Sequence, residues 1–327
     1  MDVRSVRPTD APLVLSLALD DGSHLVKGRG WPEPNSLIRT LTRATLPIPF
    51  PGRSWIARDD SSVAVLEAQP RQYVIGWDIT RLAVRGEADR VVGPVVEAAI
   101  GHLRNRGVPR LFARTCGEGA ETLRALEFLP LTREHVLLGP DSSPTGHASL
   151  PIDSRYRMPS DAWPLHQLEV ETTPPLVRQI MGLTGLEWSH RIKGMSEIVV
   201  ERDGRIVAWM GWGLKVGPGL IQIGLLVHPQ HKELAPDLLD HAVRQLEPGS
   251  RYVSHVREYQ VESLRAFLDA GFQIVAEETL MVKHAAVELA RTAIGRMRMA
   301  GVPGIQALPI RLHPRPPRAG GKPSAAQ

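Results

Sequence analysis

The stretch Leu82–Gly107, LAVRGEADRVVGPVVEAAIGHLRNRG, reads as a strand that runs through an Arg–Gly turn straight into an amphipathic helix. A helix leaves its first four amide N–H groups unpaired and carries partial positive charge at that end, so such a junction is a ready anion site. Arg90 and Gly93 stand there. Arg90 can offer charge to an anion and Gly93 a close approach to the backbone. Pro94 costs the first turn nothing, because its missing N–H would be unpaired anyway. The alternative reading is that Arg90 is a solvated first-turn residue and Gly93 a packing position.

The chain then repeats the same order. In the first half a helix from Ala11 leads through a Pro-rich loop, Trp31–Gly52, to strands at Ser54–Arg58, Ser62–Ala68 and Tyr73–Val84. A helix over Val91–Arg106 and a strand over Arg110–Arg114 follow. In the second half, helical patterns at Pro164–Val170 and Pro175–Leu183 precede a hairpin, Glu197–Glu201 and Arg205–Gly213, joined by Asp203-Gly204. Leu220–Val227, a helix over Leu234–Leu246 and Tyr252–Val256 complete it. Each half closes alike, with ETLRALEF at Glu121–Phe128 and ESLRAFLDAGF at Glu262–Phe272, before segments at His135–Leu138 and Gln273–Val282. Val84 to Phe128 is 44 residues and Val227 to Phe272 is 45, which supports a tandem duplication. The expected boundaries are 1–140 and 159–284, with a Gly/Ser/Pro-rich linker over 141–158 and a basic tail over 285–327. Beyond a helical extension to about Met299 no structure is expected in that tail.

The 327 residues suffice for two ordinary domains. The single cysteine, Cys116, excludes an internal disulfide and a multi-cysteine metal cluster, and it reads as a small core residue. With no convincing leader and no apolar run long enough to span a bilayer, a cytoplasmic protein is expected. The net charge of +4 invites a nucleic-acid reading, but from Ala285 to Gln327 there are seven basic residues against one acid, Glu288. The charge therefore belongs to the tail, where no aromatic residues are interleaved for base stacking, and nucleic-acid binding is disfavoured. His228 and His231 lack partner ligands beside Pro229, so no metal site is expected.

The order strand, Arg-x-x-Gly, helix, second strand, short helix and Phe128 resembles the GCN5-related N-acetyltransferase (GNAT) superfamily. The resemblance covers roughly Val3–Val282 and implies an α/β (α+β) fold: two tandem GNAT-like domains, each a mixed, mostly antiparallel twisted sheet flanked by helices. It further implies acetyl-CoA, or another acyl-CoA, as cosubstrate and a small-molecule or peptide amine as acceptor. Members typically show Val-x-Pro ending one strand and Gln/Arg-x-x-Gly-x-Gly/Ala opening the next helix, where small residues let the pyrophosphate approach the backbone.

Carried onto this chain residue by residue, the resemblance implies a cofactor site at Leu82, Ala83, Val84, Arg90, Val91, Val92 and Gly93, although Val95 replaces a small residue and no Pro follows Val84. The second half keeps Val227-His228-Pro229, but its loop reads Lys232-Glu233-Leu234-Ala235-Pro236-Asp237, placing acidic charge where phosphate would sit. This half is expected to be the non-binding copy. Transfer to an amine needs a base, and six residues before Val84 lies Asp78, the candidate, expected on one strand face with Thr80 and Leu82. An ordinary exposed strand Asp is the alternative. The family's usual Tyr acid is replaced by Leu123 and Leu268. The leading expectation is thus an acyl-CoA-dependent N-acyltransferase, and the rival a catalytically inactive GNAT-fold binding or assembly protein.

Overall fold

The computed structural model describes residues 1–19, 24–27, 52–71, 76–140, 151, 153–189, 194–217, 219–246 and 250–285. They fall within one unit, Met1–Val287. The tail beyond Ala285, Tyr73 and nearly all of the Trp31–Gly52 loop lie outside the described residues.

The first half runs β1 (Asp2–Ser5), α1 (Ala11–Leu19), β2 (His24–Lys27), β3 (Arg53–Arg58), β4 (Val63–Pro70), β5 (Trp77–Arg85), α2 (Ala88–Asn105), β6 (Arg110–Thr115), α3 (Gly117–Ala125) and β7 (Leu129–Leu138). The second runs β8 (Ser154–Tyr156), α4 (Ala162–Thr172), α5 (Pro175–Met181), α6 (Leu186–Ser189), β9 (Ser196–Arg202), β10 (Arg205–Gly217) and β11 (Leu220–Val227). A 3-10 segment, Pro229–Leu234, then leads to α7 (Ala235–Arg244), β12 (Arg251–Arg257), α8 (Val261–Asp269) and β13 (Gln273–His284).

Alternating apolar residues and local turns set these elements. Asp203 and Gly204 both take left-handed φ, 51° and 74°, which closes the β9–β10 hairpin in two residues as its Asp-Gly pair requires. The strands form one 13-stranded sheet in the order β1-β3-β4-β5-β6-β13-β7-β12-β11-β10-β9-β8, with β2 paired separately to β5. The two halves therefore exchange their last strands: β13 lies beside β6, and β7 lies beside β12. The parallel pairs are β5–β6 and β11–β12. In the first half Val91, Val95, Ile100 and Leu123 from α2 and α3 pack on Leu66, Leu82 and Val84. In the second, Leu238, Leu239 and Phe267 from α7 and α8 pack on Ile223, Leu225 and Val227. Each such side chain contributes about 1.5–3 kcal/mol on burial.

The duplication has a second signature at the start of each half. Arg4 Nη1 and Nη2 bond Asp10 at 2.6 and 2.8 Å, and Arg155 bonds Asp161 the same way at 2.7 and 2.9 Å. In each case the carboxylate also accepts the amide three residues before it, from Arg7 or Met158, at 2.7 Å. Each pair ties an edge strand to the first helix of its half. One of those strands, β8, lies inside the range 141–158 expected to be linker.

Candidate functional site

The two parallel pairs are each short, and beyond them the strands part. Strand β5 pairs with β6 only at Trp77↔Leu111 and Asp78↔Phe112, and β11 pairs with β12 only from Leu220↔Arg251 to Gln222↔Val253. Each half thus opens a wedge between two parallel strands, closed at Asp78 in the first and at Gln222 in the second.

In the first half the wedge is filled. Strand β2 pairs antiparallel with β5, setting His24 opposite Ala83, Val26 opposite Leu82 and Lys27 opposite Arg81. The other edge of β5 is taken by β4 through Val63↔Arg85, Ala64↔Val84 and Val65↔Ala83. Leu82 and Ala83 therefore have a strand on each side. Leu82 and Val84 turn their side chains into the core under α2.

The helix also starts earlier than its sequence pattern suggests, at Ala88 instead of Val91. Its first four N–H groups belong to Glu87, Ala88, Asp89 and Arg90. The Glu87 amide donates to Ser62 Oγ at 2.9 Å and the Arg90 amide to Glu87 O at 3.3 Å. Val91, Val92 and Gly93 lie beyond that end, inside the ladder. Val91 and Val92 are buried, and a Cβ on Gly93 would touch only Leu126, at 3.4 Å, so Gly93 sits where α2 meets the end of α3. The exposed Arg90 side chain pairs with Glu87 at 2.6 Å, and Asp89 stands in the same turn. The nearby Asp59 carboxyl is held below its ordinary value by the amides of Ser61 and Ser62, with Arg90 adding to the effect. The charge at this helix end is thus predominantly acidic.

Asp78 lies at the crotch of the same wedge. Arg71 Nε is 3.3 Å from one carboxylate oxygen and Arg114 Nη1 is 3.9 Å from the other. The expectation that Asp78 and Leu82 share a face does not hold. A bulge opposite Glu67–Ala68 inserts Thr80, because Arg81 pairs with Glu67 and Ile79 with Ala68, and one extra residue reverses the alternation. Helix α5 covers this side, where Val177 and Met181 pack on Phe112 and Arg71 reaches Met181 Sδ at 3.6 Å.

The second wedge holds no strand among the described residues. Leu225 O accepts Ser263 Oγ from α8 at 3.1 Å, which shows that Leu225 turns its polar backbone toward the gap. By the two-residue strand period Ile223 and Val227 turn the same way. On the face under α4, Trp209 lies against Gly211 and Gly224, where an added Cβ would come within 2.6 and 3.0 Å of its ring. Its indole donates to Glu197 at 3.1 Å, and Glu197 is locked in a buried pair with Arg157 at 2.8 Å. Trp188 meets Trp209 edge to face at 5.2 Å and donates to Glu169 at 2.8 Å. The Arg157 guanidinium also donates to the Trp188 carbonyl. Glu169 is half-buried and is one of the carboxylates whose field raises the Arg257 pKa against the burial that lowers it. A lone carboxylate on a short helix carries no sequence signal, so Glu169 emerges only from the packing.

The remaining sequence candidates have structural settings. Cys116 is exposed at the start of α3, not in the core, because its strand has already ended at Thr115. His228 and His231 stand 6.0 Å apart, and no cluster of three metal-ligating side chains occurs among the described residues. Elsewhere in the second half, Tyr259 accepts a bond from Arg257 Nη1 at 2.8 Å, and Trp212 is buried against His241. No helix among the described residues is long and apolar enough to cross a membrane.

Paired halves, parallel wedges and exchanged closing strands define a tandem GNAT fold. Its likeness in solved structures includes a tandem GNAT protein from the clavulanic acid biosynthesis pathway, at TM-score 0.50 and 13% identity, covering 87% of this chain and 98% of that one. A GCN5-related N-acetyltransferase from Sphaerobacter thermophilus matches at TM-score 0.52 and 16% identity, over 87% of this chain and 95% of that one. A Drosophila protein matches at 0.51 and 12% identity, over 86% and 98%. No family model and no curated protein sequence matches the chain.

Proposed function

We propose that this protein is an acyl-CoA-dependent N-acyltransferase, with acetyl-CoA as the leading donor and a small amine or peptide amine as acceptor, and that the donor lies in the second half. The observation that carries this is the edge of Ile223–Val227 that faces away from β10, which beyond Gln222 has no strand partner among the described residues. An extended donor arm carrying amides can pair with that edge as a strand would, its N–H taking the Leu225 carbonyl in place of the Ser263 hydroxyl. In the first half the same edge already carries β2. The solved neighbours named as acetyltransferases support the choice of donor.

The acceptor would approach over Trp209 and Gly224. Attack of its neutral nitrogen on the thioester carbonyl forms the C–N bond and breaks the C–S bond. The ammonium proton goes to a base, and the thiolate leaves or is protonated from water. Glu169 is the carboxylate assigned to the proton, since Glu197 is held by Arg157 and Gln222 cannot accept one. Asp78, between Arg71 and Arg114 beside α5, serves the first half's packing in this reading.

The rival reading, a GNAT-fold binding or assembly protein without turnover, draws on Asp237 and Glu233 at the second phosphate loop and on the acids around α2. Calorimetric titration with acetyl-CoA separates the two when an amine screen follows. One saturable site with turnover supports the transferase, one site without turnover the binding protein, and no binding by folded protein removes the donor.

A further inference from the structure

The two halves differ in what one position of their wedge-side helices sends across the gap. Counting from Phe128 and Phe272, which close α3 and α8 in the same way, Gly119 corresponds to Ser263. Ser263 crosses its wedge to the strand edge through its own hydroxyl. Gly119 has nothing to send across, and the space holds the Leu25 carbonyl of β2, so close that a Cβ on Gly119 would come within 2.3 Å of it. The same carbonyl accepts Thr115 Oγ1 at 2.6 Å. Val26 is 1% exposed and joins the core that contains Leu82 and Val84, so β2 fills the wedge with its side chain as well as its backbone.

We infer that the first wedge is a strand-binding site whose occupant is the chain's own segment His24–Lys27, admitted by Gly119 and clamped by Thr115, so that this half is closed to any acyl donor. The backbone groups of β5 that a donor arm would need already pair with β2. The sequence shows the device only as a glycine where the other half has serine.

Hydrogen exchange on the ligand-free full-length chain tests this without reference to acyl-CoA, so its failure is distinct from failure of the transferase reading. His24–Lys27 and Arg81–Ala83 are expected to be protected together. Gly119→Ala should raise exchange in both segments about tenfold or more, while Ile223–Val227 keeps its native rate. Should Gly119→Ala fail to fold, Thr115→Val removes only the hydroxyl clamp and should raise exchange in the same two segments by a smaller factor. Free exchange of His24–Lys27 in the native chain, or unchanged protection in both variants, would overturn the assignment.

Discussion

Glu134 of β7 stands directly opposite Glu278 of β13, at the point about which the two halves are related. The register runs symmetrically outward from that pair, with Arg133 facing Thr279 and His135 facing Glu277. Facing carboxylates repel, and the buried Glu134 is accommodated by Arg114 at 3.1 Å from the first half and Arg257 at 4.0 Å from the second. The centre of the exchanged strands is therefore held by one cation from each wedge-forming strand.

Removing that carboxylate leaves two guanidinium groups buried near one another. Glu134→Ala should lose about 3–5 kcal/mol, the usual scale for breaking a buried ion pair by removing one member. Because β7 and β13 are exchanged, urea denaturation should show one shared transition moving to lower midpoint. Two separated transitions with only one displaced would contradict the coupling.

The repeated arginine–aspartate pairs give stability a defined response to acid. Arg4 holds the Asp10 carboxyl below its ordinary value, with the Arg7 amide helping and burial opposing. A depressed carboxylate contributes fully above the unfolded pKa, about 3.9, and the contribution is lost as pH falls through the folded value. Asp10→Asn should therefore lower stability at pH 7 and flatten its decline below about pH 4, as read from thermal midpoints across pH. At Asp161 burial pushes the carboxyl up, but Arg155 and the Met158 amide outweigh it, so Asp161→Asn should behave alike.

Glu169→Gln keeps the bond from Trp188 but removes the proton acceptor. If Glu169 is the base, kcat should fall about 10²-fold with donor affinity unchanged. An unaltered kcat would assign the carboxylate to packing alone.

The Trp209 floor predicts a separation of donor and acceptor effects. Gly224→Ala brings a methyl within 3.0 Å of the indole and must shift the ring. The acceptor KM should rise roughly tenfold, the scale of one misplaced methylene in a pocket, while acetyl-CoA affinity stays within twofold. Equal losses in both would place the ring in the donor site.

Much of the fold is legible in the residues because local signals agree. Leu220–Val227 is found with the bounds expected for it, and Asp203-Gly204 makes the turn its chemistry requires. Strands β1, β2 and β8 are too short to show a period, with four, four and three residues, and β2 exists only through its pairing with β5. The Arg90–Gly93 motif is visible, but the start of α2 at Ala88 is a capping outcome involving Glu87 and Ser62. The Thr80 bulge depends on Glu67, thirteen residues upstream, so the face of Asp78 could not be read from parity. Which wedge is filled is a tertiary fact, written in the sequence only as Gly119 and Ser263.

The most direct measurement is hydrogen exchange of the full-length chain with and without saturating acetyl-CoA, followed at Ile223–Val227 and Arg81–Val84. Donor binding in the second half should slow exchange at Ile223–Val227 and leave Arg81–Val84 unchanged. Protection appearing at Arg81–Val84, or at neither segment under saturation, would contradict a donor site on the free edge of β11.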